Sequence, residues 1–362
     1  MKSRQRATQR ASRDLSRLKP PSLSQFARRL LIEWRRLRLP VENQATIVGV
    51  SGGADSVALL LALDELITAR KLEIQIVIAH IDHRLRKTSA DDSRWVKKLA
   101  QKLGHEISVS RLNLTSRHDN LEQAARNARY KAFAALAQKR GAAIVLTAHT
   151  MDDQAETILL NLIRGSGADG LSGIDPVRQL DKKRQQLLAR PLLSWARRRD
   201  TEAYCHDREI DFRRDEMNDD ETFARVRVRR QLLPLMESFN PRIVGAITRS
   251  GELLRDDNDA LTGAAERLLE LSLERSKKAA DLRVDLLAGA PPALRRRALR
   301  LWLEKCRGDL RRLELTHIRA VESLVTENRG ARTIELPGGS MVSRKRGLLR
   351  FNRRTRAKSD AY

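Results

Sequence analysis

Cysteine is nearly absent: Cys205 and Cys306 are the only two in 362 residues, far apart and without a CxxC pair. That excludes a disulfide framework and a thiolate zinc site, and fits a reducing, cytoplasmic setting. Long apolar runs are missing too. The longest, Val57 to Leu63, is far too short to span a bilayer, and no signal-peptide pattern occurs, so no membrane is expected as a partner. Aromatic residues make up 4 %. Acid is the scarce sign, with 46 Asp+Glu against 71 Lys+Arg and a formal net charge of +25. A chain this basic meets a polyanion, nucleic acid before an anionic membrane surface, with Arg-rich genome composition as the plainer explanation. In the first forty residues the only acids are Asp14 and Glu33. A transit peptide, a basic arm and a misplaced start read equally well there.

The length allows two domains. Residues 1–21 read as disordered, ending in Pro20-Pro21, and "FARRLLIEWRRLRL" then sets Phe26, Leu30, Leu31, Trp34 and Leu37 at helical spacing, a docking helix with a basic outer face. From Thr46 the runs "TIVGV", "IQIVIAH", "HEISVSRL" and "AAIVLTAH" each precede a helix-like segment. Strands alternating with helices predict an α/β fold with a parallel sheet, whose ligands sit beyond the carboxyl ends of the strands. Past Pro234 the texture turns helical, rich in Leu, Ala and Arg, and "ARTIELPGGSMVSRKRGLLRFNRR" reads as two strands joined by a Pro-Gly-Gly turn. The expected plan is a basic arm and docking helix at 1–44, a nucleotide-binding domain at 45–235, and a helical and small-β basic region at 236–362. No internal repeat is present.

The stretch "IVGVSGGADSVALL" carries the first chemistry. Gly52 and Gly53 let backbone approach an anion, the helix from Ala54 offers free N–H groups, and Ser51 and Ser56 add hydroxyls. The lysine of the usual triphosphate loop is missing. Asp55 stands inside instead, which suits a phosphate site only if a divalent cation bridges them. A plain Gly turn with a Ser/Asp cap is the structural alternative.

The loop "SGGADS" resembles that of the ATP pyrophosphatases, the PP-loop superfamily, which cleave ATP between the α and β phosphates and so need no lysine for the γ-phosphate. Further segments narrow this: "AHIDHRLR" at 79–86; "LEQAARNARYKAF" at 121–133, with Glu122, Arg126 and Arg129 on one helix face; "LTAHTMDDQAETILLNLIRGSG" at 146–167, with His149, Asp153 and Glu156 on one face and Asp152 at the expected N-cap; and "ARPLL" at 189–193. In order and spacing this set resembles the tRNA(Ile)-lysidine synthetase family over residues 45–235. Taken singly, Glu122 with Arg126 also reads as a surface pair, Asp152 and Asp153 as helix-start acids, and His83 as a solvated loop histidine.

The resemblance implies an enzyme that uses ATP and Mg2+ to adenylate C2 of the wobble cytidine in the CAU anticodon of tRNA(Ile). Free L-lysine then displaces AMP to leave lysidine, which converts the tRNA from AUG to AUA decoding. No obligate protein partner is implied. Asp55 and Asp153 are the expected metal carboxylates. Arg129 and Arg225 are the expected cations at the α-phosphate. Glu156 or Asp153 would hold or deprotonate the lysine ammonium, whose pKa is about 10.4 in water. His83, Glu122, Arg126, His149, Asp152 and Arg229 are the expected substrate contacts, and residues 51–56 the nucleotide contacts. Two departures stand out, Val226 where the family tends to have Asn and Met217 where it has a small hydroxyl residue, while Asn218, Arg225 and Arg229 match. Arg295 to Arg297, Arg311 with Arg312, and Arg344 to Arg356 suit RNA phosphates or a solvated face alike. The rivals are a thiolating tRNA enzyme of the same superfamily, for which the two lone cysteines are poor material, a small-molecule ligase or amidotransferase, and an RNA-binding protein without activity.

Overall fold

A computed structural model of the chain describes residues 23–82, 89–112, 121–181, 185–213, 223–274, 281–327 and 332–353. The expected arm at 1–21, His83, the segment with Met217 and Asn218, and the residues after Arg353 lie outside the described residues. The chain divides into two compact units, one through Gly251 and one from Glu252.

The first unit opens with α1 (Gln25–Arg36), whose N-cap hydroxyl, Ser24, accepts from the Ala27 N–H. Its buried face carries Phe26, Leu30, Leu31 and Trp34, while Arg28, Arg29, Arg35 and Arg36 face outward, the expected docking helix. Then come β1 (Glu42–Gly49), α2 (Ala54–Thr68), β2 (Glu73–Asp82), α3 (Ser89–Leu103), β3 (Glu106–Arg111), α4 (Leu121–Arg140), β4 (Ile144–Leu146), α5 (Met151–Ile163) and the one-turn α6 (Ala168–Leu171). A hairpin of β5 (Val177–Asp181) and β6 (Gln186–Ala189) precedes α7 (Arg198–Asp207). The six strands form one sheet in the order β3-β2-β1-β4-β6-β5. All pairs are parallel except β5 with β6. The parallel sheet was legible from the alternating runs. The hairpin at 177–189 was not among them, and it adds one parallel strand and an antiparallel edge.

Side chains alternate across β1. Ile47 joins Val77, Val145, Leu188 and α4's Phe133 in one core, and Val48 joins α2's leucines, Phe26 and Trp34 in the other. Burial on both faces explains why these strands read as continuous apolar runs. Strand order reverses between β1 and β4, so the loops following these two strands flank a crevice at the carboxyl edge. The short helices α8 (Ala224–Arg227) and α9 (Leu233–Phe239) also belong to this unit.

The helix α10 (Ile243–Ser272) begins in the first unit, and its part from Glu252 contributes Ala265 and Leu269 to the second unit's core with Leu299, Trp302, Val321, Val342 and Leu349. Next come β7 (Leu282–Arg283), α11 (Val284–Ala288), α12 (Pro292–Arg307) and α13 (Leu315–Thr326). The antiparallel strands β8 (Arg332–Leu336), β9 (Ser340–Lys345) and β10 (Leu348–Arg353) complete a sheet in the order β7-β10-β9-β8. The tail thus holds three strands where two were expected. Arg346 and Gly347, at φ 51° and 74°, make a second tight turn that reverses the chain into β10.

The basic runs of this unit need a further correction. Arg295 is buried, donating to Glu322 at 2.9 Å and to the carbonyls of Ala288 and Ala290. Arg296 shares Glu322 at 2.6 Å, and Arg297 binds Asn258 and Thr262. Arg344 donates to the Leu324 and Glu327 carbonyls at the end of α13. These four arginines hold the fold together. Arg311, Arg312, Lys345 and Arg346 remain exposed.

Candidate active site

The loop after β1 is shaped by its own hydroxyls. The Ser51 N–H donates to Ser56 Oγ at 3.1 Å, the Gly53 N–H to Ser51 Oγ at 3.3 Å, and Ser56 Oγ donates to the Gly53 carbonyl at 2.9 Å. Gly52 sits at φ 99°, where a side chain is strained, and its carbonyl accepts from the Arg213 N–H. Gly53 then caps α2 with no side-chain bond to the helix's first N–H groups.

Asp55, in the first turn of α2, meets the first turn of α7. The Thr201 hydroxyl donates to Asp55 Oδ1 at 2.5 Å, and Arg198 Nε lies 3.8 Å from Oδ2. Burial and the neighbouring Asp153 carboxylate push the Asp55 carboxyl up to about 7, against the pull of Arg198 and Thr201. Cys205 packs one turn further along α7, its thiol 3.6 Å from the Ala54 carbonyl. Burial and Asp55 push that thiol up to about 12, so it stays protonated and a weak nucleophile.

Across the crevice, β4 ends and α5 begins. Thr150 is the N-cap, correcting the expectation for Asp152, which is the second helical residue. Asp153 Oδ2 accepts from the Thr150 N–H at 2.9 Å, closing a capping box. Its other oxygen faces Arg225 Nη2 at 3.2 Å and Arg198 Nη2 at 3.5 Å. Burial opposes its ionisation, but Arg225 and Arg198 outweigh this and hold the carboxyl at about 2. Asp152 turns elsewhere, accepting from Arg197 Nε at 2.9 Å and the Arg198 N–H at 2.8 Å, which anchors the start of α7.

Glu156 is fully buried. Arg225 Nε donates to Oε2 and Arg229 Nε to Oε1, each at 2.7 Å, and Arg198 Nη1 lies 3.6 Å from Oε1. Arg225 and Arg229 reach it from a helix that widens into a π turn over Val228–Leu232. Pro234 explains the widening, because its ring nitrogen has no hydrogen to continue the α-helical ladder. Val226, one of the two sequence departures, is buried.

His149 places Nδ1 3.0 Å from the Thr147 hydroxyl. Burial and the nearby Arg190, Arg126 and Arg225 push the ring down to about 3 despite Asp153, so it is neutral. Arg126 stacks over Tyr130 at 5.4 Å, Arg178 does so at 4.6 Å, and Arg190 Nη2 lies 3.5 Å from the Tyr130 hydroxyl. Arg190, the arginine of "ARPLL", is almost fully buried and its Nε has no partner among the described residues. Arg129 lies exposed on α4, and Glu122 opens that helix with its side chain outside the described residues.

The structure therefore brings together Asp55, Asp153, Glu156, Arg225 and Arg229, with His149 beside them, and adds Arg198 and Thr201, which the sequence reading missed. Among the described residues no group of three or more His, Cys, Asp or Glu side chains is arranged as a metal centre. Asp55 and Asp153 are nonetheless both within 4 Å of one guanidinium. Two such carboxylates fit a hard cation that takes its other oxygens from phosphate and water. No described helix is long and apolar enough to cross a membrane.

Two family models match the chain. The PP-loop domain family matches residues 23–236, and the TilS substrate binding domain matches 282–350. A protein of Geobacter sulfurreducens named tRNA(Ile)-lysidine synthase is 37% identical, over 85% of this chain and 65% of its own length. The like-named protein of Nostoc sp. is 35% identical over 83% and 89%, and that of Nocardia farcinica 36% identical over 90% and 96%. The chain thus spans just under two thirds of the Geobacter relative. Among solved structures, U34-tRNA thiolase NcsA from Methanococcus maripaludis superposes with a TM-score of 0.54 at 16% identity, covering 64% of this chain and 79% of that one, a likeness of fold.

Proposed function

Since the chain belongs to the tRNA(Ile)-lysidine synthase family, we propose that it uses ATP to join free L-lysine to C2 of the wobble cytidine of CAU-anticodon tRNA(Ile) through an adenylated cytidine. The observation that carries this is the pairing of a phosphate loop lacking lysine with a crevice in which three carboxylates face three arginines. The loop's N–H groups and serines hold phosphate oxygens, and Arg225 and Arg229, fixed by Glu156, hold positive charge where the α-phosphate reacts. Asp55 and Asp153 would hold Mg2+, which neutralises the triphosphate when bound. Neutral His149 has a ring nitrogen able to accept a hydrogen bond. Both Glu156 oxygens are filled by arginine, so Glu156 serves as the anchor of Arg225 and Arg229 rather than as the carboxylate for the lysine ammonium. Arg126 and Arg178, to which no carboxylate bonds among the described residues, suit a polyanionic substrate. From the family likeness Arg129 stays a proposed cation at the α-phosphate and Glu122 and His83 stay proposed substrate contacts, and the setting is the cytoplasm. Thiolation finds no support at Cys205, whose buried thiol packs against the helix start.

With ATP and CAU-anticodon tRNA, the nucleotide products are AMP and diphosphate. Chromatography of labelled ATP reads this directly, and ADP as main product would overturn the reading. RNA binding is carried partly by exposed cations of the second unit. Lys345→Ala with Arg346→Ala is expected to flatten the dependence of log affinity on log salt by about 0.7 to 0.9 for each phosphate that the variant no longer neutralises. Arg344→Ala, which uncaps α13, is expected to lower the melting temperature and leave that slope alone. Filter binding across a salt series, with a melt on each variant, separates the two.

A further inference from the structure

We propose that Arg198 is a resident counter-cation: in the ligand-free protein its guanidinium occupies the place among Asp55, Asp153 and Glu156 that an arriving divalent cation takes, and it must be displaced for that ion to bind. The inference rests on the reading of Asp55 and Asp153 as metal carboxylates. Each nitrogen of the guanidinium faces a different carboxylate, Nε to Asp55 at 3.8 Å, Nη2 to Asp153 at 3.5 Å and Nη1 to Glu156 at 3.6 Å. All three distances exceed the roughly 2.7–2.9 Å of a charge-assisted hydrogen bond. Arg225 and Arg229, by contrast, bind Glu156 at 2.7 Å. Arg198 therefore serves the cluster through charge, which another cation supplies equally well, whereas Arg225 and Arg229 serve it through directed bonds.

The backbone and side chain of Arg198 are held differently. Its N–H is fixed to Asp152 at 2.8 Å, so the helix start stays in place when the side chain moves. The side chain keeps 27% of its surface exposed, a route outward. Asp55 and Asp153 keep 24% and 15%, against 0% for Glu156, so an entering ion reaches the two aspartates and finds Glu156 already shielded. A hard divalent cation held by two carboxylates and completed by phosphate oxygens is the ligand class this geometry fits.

Mn2+ is the probe, titrated into the full chain without ATP or RNA while the free ion is counted by electron paramagnetic resonance. Arg198→Ala is expected to bind Mn2+ about tenfold more tightly than the wild type, about 1.4 kcal/mol, because the competing charge is gone. It should also melt lower than the wild type without the ion and gain more from adding it. Arg198→Lys, which keeps a mobile charge, should stay within about twofold of the wild type. If Arg198→Ala does not fold, Arg198→Gln carries the same expectation. Affinity that is unchanged or weaker in the neutral variant would overturn the proposal. Asp55→Asn serves as the control: loss of Mn2+ binding there keeps the metal reading, so that a flat Arg198 result counts against Arg198 alone. Wild-type Mn2+ binding by Asp55→Asn would overturn the metal reading and this proposal with it.

Discussion

Asp55→Asn is expected to abolish ATP-dependent adenylation while making the protein more stable at neutral pH. The amide keeps the shape and can still accept from Thr201, but it is a poor ligand for a hard cation. Stability moves the other way because the Asp55 carboxyl is raised from 3.8 to about 7 in the fold. As pH rises from about 4 to about 7, the unfolded chain ionises this group before the folded one does, so its contribution to stability falls with pH. The asparagine variant escapes that loss. Its melting temperature should equal that of the wild type near pH 4, exceed it increasingly up to about pH 7, and keep a constant lead above. A lead that shrinks with rising pH would mean that Asp55 is held ionised.

Glu156→Gln is expected to cost both stability and chemistry. The carboxylate is fully buried and accepts from Arg225 and Arg229, and removing one partner of a buried ion pair costs about 3–5 kcal/mol because the other charge is left uncompensated. The urea midpoint should drop accordingly. Adenylation and lysine attachment should fall together, by about a hundredfold or more, since both arginines lose their anchor. A variant with a near-normal midpoint and intact adenylation that fails only in the lysine step would return Glu156 to the ammonium role that its spacing first suggested.

The parts legible in the sequence are the short-range ones. An apolar run, a glycine whose neighbours cannot follow it to φ 99°, and two serines within hydrogen-bond reach define the loop within ten residues. The i, i+3 spacing of Asp153 and Glu156 put both on one helix face, whereas His149, expected on that face, lies before the Thr150 N-cap in the loop after β4. What was not legible depends on partners far along the chain. Thr201 meets Asp55 across 146 residues, and the N-cap of α7 is Arg197, a residue that gives no capping signature in sequence. Arg295 reads as a surface charge until Glu322, 27 residues on, folds over it. The third strand of the tail was hidden because arginine is an uncommon residue at positive φ, although Gly347 beside it marked a turn. Asp152 and Asp153 show the same limit at close range. Both are helix-start acids in sequence, yet one anchors α7 and the other faces the arginines.

The most direct measurement is the transfer of labelled lysine to RNA. The full chain is incubated with ATP, Mg2+, labelled L-lysine and unmodified tRNA(Ile) bearing a CAU anticodon, and the RNA is isolated and digested to nucleosides. The expected result is one labelled nucleoside derived from the wobble cytidine, formed with one AMP released per lysine attached and absent when ATP is withheld. RNA that stays unlabelled under these conditions while ATP is consumed would contradict the assignment of lysine as the amine substrate.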